Sequence, residues 1–209
     1  TPWPTGARYH VTFHSPLTGV YGYANSSGQW GPALRRAGYA ALVIVGRSPE
    51  PVYLDVTPNG IEFHPADRLW GRGTSAVHDE LETDGARVTC IGPAGENLVR
   101  FAAIINDRGR AAARCGGGAV MGSKNVKAIR VHGKSASTLP DSFIEAARRA
   151  FTKVRDHPNV RGLRDLGTVF LVRPKNISGD LPARNHQFGQ VPWVERVDAQ
   201  SIARYTYQT

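Results

Sequence analysis

Residues 106–129 read NDRGRAAARCGGGAVMGSKNVKAI. Arg108, Arg110 and Arg114 stand just before three consecutive glycines, Gly116, Gly117 and Gly118. Guanidinium groups beside bare backbone suit a bound anion, most often a phosphate. Glycine lets backbone N–H groups approach the anion, a helix N-terminus adds partial positive charge, and arginine offers bidentate contacts. The familiar phosphate cradles fail on spacing. A P-loop needs four residues between its glycines and then Lys-Ser/Thr; here three residues separate Gly118 from Gly122, and Ser123 precedes Lys124. A dinucleotide fingerprint on Gly116 and Gly118 needs a third glycine at 121, which is Met121. A second small loop, Asn25-Ser26-Ser27-Gly28, lies in the first half of the chain. By itself it reads as an ordinary turn.

Other chemistry is sparse. His10 and His14 fall on one side of a predicted strand, without the spacing of a metal pair. Asp79, Glu80 and Glu82 read as a solvated helix face, and no Ser-His-Asp arrangement is legible. The two cysteines, Cys90 and Cys115, form no CxxC, so these residues alone hold neither an iron–sulfur cluster nor a Cys-rich zinc site. So few cysteines suit a reducing compartment, here read as the cytoplasm. The net charge is +9. Seven Lys/Arg and one acid, Asp107, fall between Arg100 and Arg130. That clustering favours a specific anion site over a generic nucleic-acid face, the other reading of a basic chain. No apolar run approaches the length of a membrane helix. The chain opens on Thr1 and its one methionine is Met121, so it is read as a fragment of a longer protein.

These residues need elements to hold them. RYHVTF (8–13) and VYGYAN (20–25) read as strands around a SPLTG turn. A short helix follows, with Pro32 in its first turn and Gly38 at its end. ALVIVG (41–46) reads as a buried strand, and PVYLDV and IEFHP as a hairpin about Pro58-Asn59-Gly60. TSAVHDELETDG predicts a helix capped by Thr74 or Ser75. RVTCIG, LVRFAAII and VKAIRVHG read as strands. The order strand, turn, strand, polar loop, helix, strand thus occurs twice, once through SPLTG and the Asn25 loop, once through GPAGEN and the Asn106 loop. A pseudo-two-fold repeat would bring two anion loops together. Beyond it, 139–158 predicts a helix with a Ser142–Glu145 capping box and an apolar face of Phe143, Ala147, Phe151 and Val154 for core packing. GDLPARNHQFG reads as loop, and DAQSIARYTY begins another helix.

PTGARYHVTFHSPLTG, ANSSGQWGPALRRAGYAALVIVG, WGRGT, IGPAGENLVRFAAIINDRGRAAARCGGGAVMGSKNVKAI and LPARN together resemble the N-terminal domain of the tungsten-containing aldehyde ferredoxin oxidoreductase family. The resemblance covers nearly the whole chain. It implies an α+β fold: two packed, mostly antiparallel sheets with an internal pseudo-two-fold repeat and short helices. Residues 1–136 would be a pyranopterin-binding base domain lacking its first strands, and 137–209 a helical segment leading into later domains. It implies a tungsten, or molybdenum, bis-pyranopterin whose two phosphates are bridged by magnesium. A [4Fe-4S] cluster would be held by residues outside this chain.

By the same resemblance the cofactor contacts fall on Arg8, Asn25, Ser27, Arg110, Ala111, Ala113 and Arg114. The magnesium contacts would be the backbone carbonyls of Asn25 and Ala111, and no catalytic side chain lies in this chain. Ser27, Ala113 and Cys115 stand where many members have glycine. The implied activity is oxidation of an aldehyde to a carboxylate, with ferredoxin or another electron-transfer subunit as partner. No membrane or nucleic-acid partner is expected, and a homo-oligomer is compatible. A relative that reduces aromatic thioesters on the same cofactor fold is the alternative enzyme. A basic anion- or nucleic-acid-binding module is the alternative of another class. The chain alone is expected to be inactive.

Overall fold

The computed structural model describes residues 3, 6–133 and 139–206. Its contacts divide the chain into two compact units, Thr1–Leu139 and Pro140–Thr209. The boundary expected between residues 136 and 137 lies outside the described residues.

The first unit is α+β with two sheets, as expected. β1 (Arg8–His14) and β2 (Tyr21–Ser27) form an antiparallel hairpin that pairs Arg8 with Ser27 and His14 with Tyr21. Alternation sorts its faces: Arg8, His10, Thr12 and His14 point outward, while Tyr9 and Val11 pack against the core. α1 (Trp30–Arg36) follows, with Pro32 in its first turn. Trp30 is buried, and its indole N–H donates to the Ile129 carbonyl at 3.0 Å. Removing so large a buried ring costs about 3–5 kcal/mol, so α1 is firmly anchored.

The second sheet contains β3 (Val52–Thr57), β4 (Gly60–Pro65), β5 (Arg87–Cys90), β6 (Ile104–Asn106), β7 (Arg110–Ala112) and β8 (Val126–Val131). Their spatial order is β4-β3-β8-β5-β6-β7. β3 and β8 are parallel, and every other pair is antiparallel. α2 (Thr74–Leu81), α3 (Pro93–Glu96) and α4 (Gly117–Ser123) fill the connections. The two sheets touch through Tyr9, whose hydroxyl donates to Asn106 Oδ1 at 3.0 Å and lies 3.3 Å from Thr89 Oγ1.

Four local expectations need correction. Residues 41–45 alternate in burial as a strand would and Gly46 is left-handed at φ 70°, but they belong to no strand, because among the described residues no neighbouring strand completes their hydrogen bonds. LVRFAAII yields only Ile104–Asn106 as strand; the residues before it form turns, with Leu98 left-handed at φ 57°. α2 has Gly73 at its N-cap and no side-chain cap. The polar loop after β6 is a turn into β7, a strand the sequence did not announce.

The repeat is present with a shifted alignment. Hairpin, helix and third segment recur as β1–β2–α1–(40–46) and β6–β7–α4–β8. In each copy a helix glycine abuts the hairpin's first strand or the chain entering it. A Cβ on Gly31 would lie 3.1 Å from Tyr9 Cβ, and one on Gly118 would lie 2.5 Å from the Ala103 carbonyl oxygen. SPLTG therefore corresponds to the 107–109 turn. Between β8 and β6 the second copy also holds β5, which has no counterpart in the first copy among the described residues.

The second unit is helical: α5 (Asp141–Arg155), α6 (Pro158–Leu166), α7 (Val172–Ile177) and α8 (Ala199–Thr206), with 3-10 turns at Gly167–Leu171 and Val194–Arg196. α5 starts at Asp141 behind Pro140 as N-cap, so Ser142 lies inside the helix and forms no capping box. Its apolar face is not core, for no residue of α5 is buried. In GDLPARNHQFG a bridge pairs Ala183 with Phe188, and Arg184, Asn185 and His186 are all left-handed. No helix among the described residues is long and apolar enough to cross a membrane.

Candidate anion and cofactor site

β2 and β7 are the edges at which the two sheets come together. At one end Arg110 Nη1 donates to Ser27 Oγ at 2.9 Å. At the other, a Cβ on Gly22 would lie 3.0 Å from Cys115 Cβ, and Ser15 Oγ donates to the Cys115 carbonyl at 2.7 Å. The chain from Arg110 to Cys115 thus runs beside β2 in the opposite direction. Ala111, Ala113 and Arg114 span the interval, all three exposed. Arg8, paired in register with Ser27, donates to Asn25 Oδ1. All seven expected residues therefore lie along this seam, which relates the two copies of the repeat.

The electrostatics suit an anion. Arg8, Arg110 and Arg114 are exposed and form no ion pair with a carboxylate among the described residues. Arg108, the other arginine of the loop, is withdrawn. Its guanidinium pairs with Asp79 and lies 3.7 Å from Glu82, and the hydrogen bond to Asp79 holds its pKa above the ordinary value. In this arrangement Arg108 is engaged by two carboxylates, which sets it apart from Arg110 and Arg114, with which the sequence reading grouped it. Asp79 and Glu82 are likewise its partners and not a purely solvated face.

The residues that join the two copies were not found from sequence. Asp107 Oδ2 accepts from the Gln29 backbone N–H at 2.6 Å and from Asn106 Nδ2 at 2.9 Å. Asn106 Nδ2 also donates to the Ser27 carbonyl at 2.8 Å. Gly28, at φ 109°, sits under this clasp: a Cβ there would lie 1.8 Å from Asp107 Oδ2. The available signal was Asp107 itself, the one acid in the basic stretch. Burial pushes the Tyr9 phenol up to about 12, so it stays a neutral donor to Asn106.

Cation ligation by side chains has little support, since no group of three or more His, Cys, Asp or Glu residues gathers among the described residues. Cys90 is buried and its thiol is pushed up to about 12 by that burial, so it is chemically quiet. His10 and His14 are exposed on β1. Ser27 and Ala113 lie outside the left-handed region, so their Cβ atoms introduce no backbone strain. Cys115 is left-handed at φ 61°, a conformation glycine adopts more easily.

The first unit is thus a two-sheet α+β base whose seam carries three exposed arginines with no carboxylate partner among the described residues. Comparison with known families identifies it. The model for "Aldehyde ferredoxin oxidoreductase, N-terminal domain" matches residues 1–133, and the chain belongs to that family. It is 41% identical over 210 residues to the tungsten-containing aldehyde ferredoxin oxidoreductase of Pyrococcus furiosus, covering 97% of this chain and 35% of that protein. It is 43% identical over 196 residues to the enzyme of the same description from Thermococcus kodakarensis, covering 90% and 32%. Among solved structures it resembles the active site complex BamBC of benzoyl coenzyme A reductase bound to 1,5-dienoyl-CoA. The TM-score is 0.68 at 34% identity, over 74% of this chain and 24% of that one. The chain thus spans about a third of the length of these curated relatives.

Proposed function

We propose that this chain is the cofactor base of a tungsten bis-pyranopterin oxidoreductase that oxidises aldehydes to carboxylates and passes electrons to ferredoxin. The observation behind the reading is the convergence of Arg8, Asn25, Ser27 and Arg110, from both copies of the repeat, with no carboxylate among the described residues to pair with the arginines.

The residues suit the group in three respects. Arg8, Arg110 and Arg114 would neutralise phosphates, with guanidinium forks matched to phosphate oxygens. The carbonyls of Asn25 and Ala111, on the facing edges, would hold magnesium, a hard cation that takes oxygen ligands and keeps some water. The small side chains of Ser27, Ala111 and Ala113 leave the backbone open to a close-lying ligand. When bound, the tungsten centre supplies Lewis acidity and accepts two electrons. This chain's part is to bind, orient and neutralise; acid–base residues and a [4Fe-4S] cluster would come from polypeptide outside these residues.

The likeness to the benzoyl coenzyme A reductase complex motivates a second reading, the same cofactor in reduction of an aromatic thioester. The aldehyde reading is preferred because the aldehyde oxidoreductases match more of the chain at higher identity. Elemental analysis of a polypeptide of the relatives' length is the decisive test. One tungsten per chain is expected, with marked loss in Arg8→Ala/Arg110→Ala while circular dichroism is unchanged. A wild-type protein without tungsten or molybdenum that binds DNA salt-dependently would overturn the reading in favour of a basic binding module. Assays with aldehydes and with aryl thioesters separate the two enzymes.

A further inference from the structure

Lys127 and Glu96 are charged groups that lie outside the seam. The Lys127 side chain, on β8, is wholly buried, and that of Glu96, the last residue of α3, is 4% exposed. Lys127 Nζ donates to Glu96 Oε1 and, at 2.9 Å, to the Arg72 carbonyl. Glu96 Oε2 accepts from the Gly71 N–H at 2.8 Å. One carboxylate thus joins β8, α3 and the loop at 70–73. A buried ion pair is often no more stable than an apolar pair of the same volume, so stability alone does not account for it. What it does provide is a fixed place for α3.

The place of α3 sets the place of α4. The two helices meet backbone to backbone. A Cβ on Gly95 would lie 2.9 Å from the Gly118 carbonyl oxygen, and one on Gly122 would lie 2.0 Å from the Gly95 carbonyl oxygen and 3.3 Å from the Glu96 nitrogen. No side chain stands between them to take up a shift, and packed interiors compress little. α4 also has no large anchor of its own: it begins with Gly117, where α1 begins with Trp30. Only Cys115 and Gly116, left-handed at φ 61° and 83°, separate Arg114 from α4. A helix supported from below by α3 therefore leads directly into the seam.

We propose that Lys127 and Glu96 are positioning residues for the anion seam. They touch no anion. They fix α3, and through its glycine contact with α4 they hold residues 111–114 beside β2, where Arg110 and Arg114 act together with Arg8. This rests on the reading that the seam binds phosphate groups.

Inorganic phosphate and the 209-residue chain provide the test, with amide NMR spectra recorded through a titration. In Lys127→Met the amide resonances of 111–118 should move and phosphate binding should weaken by about tenfold or more, as when the support of a ligating residue is removed. Leu81→Ala is the control, in a core cluster that includes no residue of α3 or α4. It should lose stability in denaturant and leave both readouts at their wild-type values. Lys127→Met/Glu96→Gln removes the stranded carboxylate and regains stability, and it carries the test where the single variant fails to fold. Its phosphate binding should stay weak, because nothing then joins β8 to α3. Binding that recovers in step with stability, or that falls as far in Leu81→Ala, overturns the proposal. A wild-type chain that binds no phosphate, while the 111–118 resonances still move in the double variant, sinks the anion reading and spares the positioning pair. Wild-type phosphate binding that neither variant alters does the reverse.

Discussion

The two copies of the repeat use comparable sequence and reach different states. VKAIRV, which is β8, lies in the middle of a six-stranded sheet with all but one of its residues buried. ALVIV, its counterpart, is at least as rich in β-forming residues and pairs with no strand among the described residues. The difference is β5. A strand is made by its neighbours, because backbone groups gain little from being extended until a partner receives their hydrogen bonds. The second copy can therefore carry charge at its centre. Lys127 on β8 is wholly buried, donating to Glu96 and, at 2.9 Å, to the Arg72 carbonyl. Glu96 in turn accepts from the Gly71 N–H at 2.8 Å, tying the WGRGT loop to the sheet.

The largest effect should come from breaking that pair. Lys127→Met strands a buried Glu96 carboxylate and should cost about 3–5 kcal/mol in denaturant unfolding. Adding Glu96→Gln should recover part of the loss, because the stranded charge is then gone. A double-variant loss equal to the sum of the two single losses would mean that the pair is not coupled and that the second copy is held by packing alone.

Next is the clasp between the copies. Gly28→Ala puts a methyl on Asp107 Oδ2 at a left-handed φ and should cost about 2–3 kcal/mol. In an Asp107→Ala background the same change should cost less, since the closest clash is removed, while the φ strain and the 2.8 Å approaches to Arg110 Cδ and Asn106 Nδ2 remain. Strict additivity by thermal unfolding would show that the copies are not joined there.

How much of this was readable follows the range of the forces. The β3–β4 hairpin was legible because Pro58-Asn59-Gly60 sets its turn locally, and α1 because Pro32 and Gly38 mark its limits. ALVIVG and LVRFAAII misled for one reason: both have β composition, and pairing is decided by residues far away. Caps predicted at Thr74 and Ser142 failed because the N-cap falls one residue earlier, at Gly73, and two residues earlier, at Pro140. In the site, Arg110 meets Ser27 across a separation of 83 residues, which no local pattern reports. The resemblance indicated the seam, whereas physics alone grouped Arg108 with Arg110, unaware that Asp79 and Glu82 lay within reach of it.

Alkali should weaken both copies, with different onsets. Cys90 on β5 and Tyr9 on β1 are each pushed up to about 12 by burial, from ordinary values of 9.0 and 10.0. Well below pH 9 both are protonated, folded or unfolded, and contribute no pH dependence. Above it the unfolded thiol ionises while the folded one does not, so the folded state binds more protons and stability falls with pH. The slope is of order 1 kcal/mol per pH unit from Cys90 above pH 9, joined by Tyr9 above pH 10. Unfolding midpoints from pH 8 to 11 should show the break near 9 disappear in Cys90→Ala, leaving the later one.

The smallest predicted effect separates the copies most cleanly. Val43→Asp places a charge where the side chain is 86% exposed, so in the 209-residue chain it should change stability by no more than about 0.5 kcal/mol. A carboxylate on a strand inside a completed sheet would be costly, because burying a charge without a partner is heavily penalised. A near-neutral result therefore says that the first copy is open in solution. A loss above about 1 kcal/mol would say that something already covers the valine face, and if that loss shrank on dilution the cover would be a second copy of the chain.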